Sequence, residues 1–86
     1  LGRIPISANK SQIGHALGAA AAIEAALGIE AMRRGLLLPT VNHIPDPAFD
    51  DIDVVPNHAR RQAQEFLLSN AFGFGGTNCC VVFRGM

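Results

Sequence analysis

Two short runs of this 86-residue sequence hold the side chains best suited to chemistry. In the first, Lys10 and His15 stand five positions apart, in Lys-Ser-Gln-Ile-Gly-His, at the entry to an alanine-rich stretch. A lysine near a helix start meets the positive end of the helix dipole and needs a counter-charge. Glu24, fourteen residues later, supplies one if Lys10 folds back. The same dipole opposes protonation of His15, and a neutral imidazole with a donor N–H can stabilise an oxygen that becomes negative. Spacing alone leaves open a solvated Lys10 and a His15 satisfied in the core. The second run is Ser69-Asn-Ala-Phe-Gly-Phe-Gly-Gly-Thr-Asn78. Gly73, Gly75 and Gly76 allow a main chain that approaches a ligand or takes a positive φ. Exposed N–H groups in such a turn can hold an anion or an oxyanion. No Gly-Lys-Ser/Thr ending is present, so this is no P-loop, and a lone Gly-x-Gly-Gly is too short for a dinucleotide fingerprint. On this feature alone a hairpin turn with two packed phenylalanines, Phe72 and Phe74, is the simpler reading.

The other reactive residue types carry less. His43 and His58 have no partners at metal-ligand spacing and read as surface or hydrogen-bonding residues. Cys79 and Cys80 are adjacent; neighbours on a strand point to opposite faces and cannot bridge each other. Nothing local would lower a thiol pKa, so both read as buried small residues. With no disulfide framework and no Cys-x-x-Cys, a reducing, cytosol-like compartment is expected.

The elements that position these runs follow from periodicity and turn chemistry. Residues 4–7 read as a short buried strand and 8–14 as a polar turn. A long helix is expected from about Gln12 to Arg34, with Ile13, Leu17, Ala20, Ile23, Leu27 and Met32 at helical spacing. Ser11 is its expected N-cap, Arg33 and Arg34 suit its last turn, and Gly35 its C-cap. Gly14, Gly18 and Gly28 within so many alanines suggest close approach of neighbouring backbone on most sides. Residues 36–41 are apolar; 42–56, with three prolines and four aspartates, read as an ordered surface loop. A brief pairing is expected at Val54 and Val55, and a solvent-facing stretch at 57–64. Residues 65–71 and 77–84 are two strands around the glycine turn, a β-hairpin.

Composition narrows the class. Acidic and basic residues balance at seven each, which argues against a nucleic-acid clamp. Charged residues are 16%, below the usual ~25%, and the smooth alanine helix has little here to cover it; both suggest a segment of something larger. No charge-free apolar run reaches the ~18 residues of a membrane span. The N-terminal order of a signal peptide is absent, and a cytoplasmic location is expected, with an organelle as the other possibility.

Taken together, residues 9–20 (Asn-Lys-Ser-Gln-Ile-Gly-His-Ala-Leu-Gly-Ala-Ala), 38–42 (Leu-Pro-Thr-Val-Asn) and 69–78 resemble the C-terminal part of a β-ketoacyl-[acyl-carrier-protein] synthase, closer to the type II elongation enzymes than to modular polyketide synthases. Residues 51–56 resemble the segment between the last two motifs, and the likeness runs from about Ile4 to Phe83. One departure is Ala21, where Gly-Ala-Ala is usually followed by glycine. The resemblance implies an α/β fold, with residues 1–86 a partial C-terminal thiolase-like domain: strand, buried alanine-rich helix and C-terminal hairpin. It implies a decarboxylative Claisen condensation of an acyl thioester with malonyl-acyl-carrier protein. By position, His15 would be a catalytic histidine stabilising the enolate. Lys10, paired with Glu24, would organise the site electrostatically. Phe74 would offer its N–H to an oxyanion hole and gate the acyl tunnel. Phe72, Gly73, Gly75 and Gly76 would bind substrate, and Glu24, Ser69 and Asn70 would support the site, in some members around a monovalent cation. No organic cofactor is implied. Implied partners are acyl- and malonyl-loaded acyl carrier protein, the rest of the synthase chain and a second copy in a homodimer. The nucleophilic cysteine and first histidine of such a site match nothing in these residues, so the 86 residues alone should not turn over. A non-condensing chain-length-factor-like or polyketide synthase partner subunit, or an inactive remnant, fits the same motifs.

Overall fold

A computed structural model describes residues 4–85 of the chain. Its centre is helix α2 (Ala20–Arg33), packed on a β-hairpin of β3 (Phe66–Phe72) and β4 (Asn78–Arg84). A second, two-residue antiparallel pair, β1 (Leu36–Leu37) with β2 (Arg60–Arg61), lies beside the helix. The result is a mixed α/β arrangement.

The expected helix from Gln12 to Arg34 is broken. A single turn, α1 (Lys10–Ile13), ends at Gly14; a 3₁₀ turn spans Leu17–Ala19, and only then does α2 begin. Gly14 has φ 76° and Leu17 has φ 54°, and a helix cannot pass through either value. Ser11 is therefore not the N-cap. It sits inside α1, and the N-cap of α2, Ala19, makes no side-chain cap, the helix following directly on the preceding 3₁₀ turn. The other end is as expected: Gly35, at φ 66°, closes the helix with its N–H on the Met32 carbonyl. Glu30 pairs with Arg33 at 2.7 Å and Arg34 at 2.9 Å in that last turn. Their guanidiniums, Arg34 first, hold its carboxyl below the usual value.

Only one face of α2 is covered, through Ala20, Gly28 and Ala31. Gly28 allows the approach: a Cβ there would lie 2.5 Å from Leu67 Cδ2. As expected of a helix with little here to cover it, Ala21, Ala22, Ile23 and Ala26 remain exposed. The strand expected at 4–7 reduces to a parallel bridge between Ile6 and Val54, and Ile4 and Ile6 are exposed rather than buried. A second bridge joins Thr40 to Pro56, with Val55 buried between them. The stretch 57–64 is not wholly a solvent-facing loop, because β2 pairs it to β1.

The hairpin forms as expected. Its register runs from Phe66 opposite Arg84 to Phe72 opposite Asn78. Alternation along β3 turns Leu67, Ser69 and Ala71 towards cover and leaves Phe66, Leu68, Asn70 and Phe72 exposed. Residues 73–77 form the turn, closed by Gly73 N–H on Thr77 O at 2.6 Å. Gly75 and Gly76, at φ 85° and 86°, take backbone that other residues adopt only with strain.

Candidate active site

The break between α1 and α2 shapes the first half of the site. Lys10 opens α1, and its Nζ donates to Glu24 Oε1 across 2.5 Å. Glu24 sits one turn into α2, its side chain largely covered, whereas that of Lys10 is about half exposed. The fold-back that the sequence allowed thus occurs. It places an ammonium and a carboxylate at the mouth of α2.

His15 occupies the kink itself, with left-handed backbone just before it at Gly14 and two residues after it at Leu17. Glycine adopts that conformation freely; leucine does so at a cost of order 1–3 kcal/mol, and such strain persists where surrounding structure demands it. Here the Leu17 N–H donates to His15 Nδ1 at 3.0 Å. An accepting Nδ1 carries no proton, so in the neutral ring the hydrogen sits on Nε2. Among the described residues His15 is exposed.

The second half is the hairpin turn. Phe74 stands fully exposed at its tip, and Phe72 ends β3 at 76% exposure. Neither phenylalanine is packed against the described residues. Gly75 and Gly76 leave open space at the tip, and Gly73 is the pinned base of the turn. Among the described residues, no hydrogen bond or ion pair joins this turn to Lys10, His15 or Glu24; the two halves hang separately from the α2–hairpin layer.

Ser69 and Asn70 are consecutive on β3 and face opposite sides, Ser69 half-buried and Asn70 exposed. Asn70 Oδ1 accepts the Cys80 thiol, and Glu24 is engaged by Lys10. No group of three His, Cys, Asp or Glu side chains that could hold a metal ion occurs among the described residues. Cys79 and Cys80 are free thiols and, contrary to expectation, exposed on β4. His43 is held through its backbone, whose N–H and C=O both bond the Asn57 amide at 3.1 Å. No described helix is long and apolar enough to cross a membrane.

Sequence reasoning missed Leu17, Ser11 and Thr40 as parts of this site. Leu17 carries no local signal for positive φ. Ser11 and Thr40 act across some thirty residues: Ser11 Oγ accepts from Val41 N–H at 2.7 Å, and Thr40 Oγ1 from Ala8 N–H at 2.9 Å.

Comparison with known proteins agrees with this arrangement of motifs. Residues 2–43 match the family described as "Beta-ketoacyl synthase, C-terminal domain". The chain is 46% identical over 83 residues to 3-oxoacyl-[acyl-carrier-protein] synthase 2 of Rhizobium meliloti (strain 1021), covering 95% of this chain and 20% of the relative. It is 42% identical over 80 residues to the chloroplastic 3-oxoacyl-[acyl-carrier-protein] synthase I of Arabidopsis thaliana, covering 93% and 17%. It is 41% identical over 83 residues to synthase 2 of Vibrio harveyi, covering 95% and 20%. The chain thus spans about a fifth of the length of the curated relatives it matches. With identity sustained along nearly its whole length and both motif runs in place, the chain belongs to the β-ketoacyl synthase family, in the region of its C-terminal domain.

Proposed function

We propose that this chain supplies the enolate-stabilising half of a 3-oxoacyl-[acyl-carrier-protein] synthase active site in fatty acid elongation. The observation that carries the reading is the His15 ring, whose Nδ1 is occupied by the Leu17 N–H, so that Nε2–H is the free donor. In the proposed reaction, malonyl-carrier protein loses CO₂, and the electron pair of the broken C–C bond becomes an enolate on the thioester oxygen. A neutral Nε2–H aimed at that oxygen stabilises the charge as it forms and costs no reorganisation. The enolate carbon then attacks an acyl thioester, and the thiol leaves. The thioester belongs to a cysteine elsewhere in the synthase: Cys79 and Cys80 lie on β4, and among the described residues the one side-chain hydrogen bond of either thiol is from Cys80 to Asn70.

Lys10, neutralised by Glu24, sets the field at the mouth of α2. Phe74 and the turn of Gly73, Gly75 and Gly76 would present the second oxyanion donor and the tunnel gate, with Phe72 on the malonyl side. Support for an exposed, hinge-like role is that nothing in these residues packs on the Phe74 ring. Ser69 and Asn70 would hold the strand that carries this turn. Acyl carrier protein is the proposed partner; the thiolase-like fold and a homodimer belong to the same proposal. The thiolase-like layering is supported by the uncovered apolar faces of α2 and of the hairpin, where Phe66, Leu68 and Val82 stay more than half exposed. The proposed location is the cytoplasm or an organelle; one relative is chloroplastic.

The test is a chimera in which these 86 residues replace the matching segment of the Rhizobium meliloti relative. His15→Ala in the chimera is expected to lower kcat for condensation by about 10²–10³-fold, the usual loss for one oxyanion donor. An unchanged kcat in His15→Ala would overturn the reading.

A further inference from the structure

We infer that Ser11, Gln12 and Thr40 form a polar clip whose task is to hold Lys10 in position against Glu24; the inference rests on the proposed role of Lys10. Helix α1 buries none of its four residues, and Ile13 is 45% exposed. Apolar packing therefore does not place it, and a single helical turn has no stability of its own. Side-chain hydrogen bonds do the placing. The Ser11 hydroxyl donates to Ala8 O at 2.9 Å and accepts from Val41 N–H at 2.7 Å, using its donor and one lone pair. Gln12 Nε2 donates to Pro39 O at 3.1 Å. Thr40 Oγ1 accepts from Ala8 N–H at 2.9 Å.

The other jaw of the clip is fixed. Pro39 is buried. Thr40 N–H bonds Val55 O at 2.7 Å, and Thr40 O accepts from Asn57 N–H at 2.9 Å, so that the Thr40 backbone is held at both its donor and its acceptor. Val55, the most deeply buried residue named in this core, anchors that strand segment. Pro39 and Val41 thus grip the turn that begins with Lys10, and Thr40 grips Ala8 just before it. The grip extends to the kink, because Gly14 N–H bonds Lys10 O at 2.9 Å immediately before His15.

None of the three clip residues is charged, and each acts on backbone rather than on a reacting group. They are positioning residues. A displacement of about 1 Å in such a support can cost on the order of 10²-fold in rate without altering substrate affinity. A merely structural role would instead lower the amount of folded protein and leave the rate per folded molecule intact.

The experiment uses the chimera described above, with rates normalised to folded protein isolated by gel filtration. Ser11→Ala and Thr40→Val are each expected to lower kcat by about 10- to 100-fold with KM for malonyl-carrier protein unchanged. Ser11→Thr and Thr40→Ser, which keep the hydroxyl, are expected to restore kcat. Ser11→Ala added to Lys10→Ala is expected to lower kcat no further than Lys10→Ala alone, because the two act as a unit. Full additivity of the two losses, or an unchanged kcat in Ser11→Ala beside a lowered one in Lys10→Ala, overturns the clip. An unchanged kcat in Lys10→Ala instead overturns the role of Lys10 on which it rests. Should Ser11→Ala fail to fold, Gln12→Ala removes a single bond and carries the same cycle.

Discussion

Gly28 is where the fold can be tested by one methyl group. It is buried in α2, and a Cβ built on it would lie 2.5 Å from Leu67 Cδ2, with Cδ1 and Cγ at 3.5 and 3.6 Å. Carbon atoms in ordinary contact sit about 3.5–4.0 Å apart, so the Leu67 methyl must retreat by about 1 Å or more. Two terms then oppose each other in Gly28→Ala. Alanine favours the helix by about 1 kcal/mol over glycine. Overpacking against a neighbour costs about 1–3 kcal/mol, here towards the low end because the obstructing atom is the tip of a rotatable side chain. The expected sum runs from neutral to about 2 kcal/mol destabilising. In a Leu67→Ala background the obstructing methyls are gone, and the same substitution should stabilise α2 by about 1 kcal/mol. Hydrogen exchange of the α2 amides reads the opening free energy of this helix–hairpin unit directly. The reasoning fails if Gly28→Ala has the same effect in both backgrounds, within the ~0.3–0.5 kcal/mol expected of independent sites.

Two further outcomes follow from the charges and from the missing half of the site. Arg60 grips Asp53 with two hydrogen bonds of 2.8 Å, and that grip holds the Asp53 carboxyl below its ordinary value of 3.8. A lowered native pKa stabilises above the unfolded value and is lost as pH falls through the native one. The thermal midpoint should therefore drop as pH is taken below 3.8, and Asp53→Asn should flatten part of that drop; an identical profile in Asp53→Asn refutes the linkage. Glu30, lowered by Arg34 and Arg33, contributes in the same direction and keeps the remainder. The 86-residue chain by itself is expected to form no 3-ketoacyl product from acyl- and malonyl-carrier protein, and mass-spectrometric detection of that product would contradict the assignment of its nucleophile to another part of the synthase.

Much of this architecture is legible locally. The glycine turn at 73–77 between two β-prone runs specifies the hairpin, because turn chemistry and strand period are properties of neighbouring residues. The close of α2 at Gly35 is legible for the same reason, since only glycine takes the left-handed cap without strain. The Lys10–Glu24 pair was foreseeable from charge and spacing, provided the lysine turned back. The family likewise follows from motif order alone.

Other features depend on hydrogen bonds and backbone strain that periodicity does not signal. Helical periodicity runs unbroken through residues 12–34, yet the helix breaks at Gly14 and Leu17. Leucine at φ 54° is a choice that local propensity opposes, and it coincides with the bond from Leu17 N–H to His15 Nδ1. Ser11 looked like an N-cap because its type and place fit one; its hydroxyl is instead taken by Ala8 and Val41. Exposure of Cys79, Cys80 and both turn phenylalanines also differs from a pattern-based reading, because hydrophobicity says that a residue seeks cover and not whether cover is present. The sequence by itself thus settled the hairpin, the close of α2 and the family, whose signals lie within one turn or one motif. Tertiary structure decided where the helix breaks, which imidazole nitrogen is free and what holds Lys10 in place, because each of these depends on hydrogen bonds or backbone strain that no residue can satisfy alone.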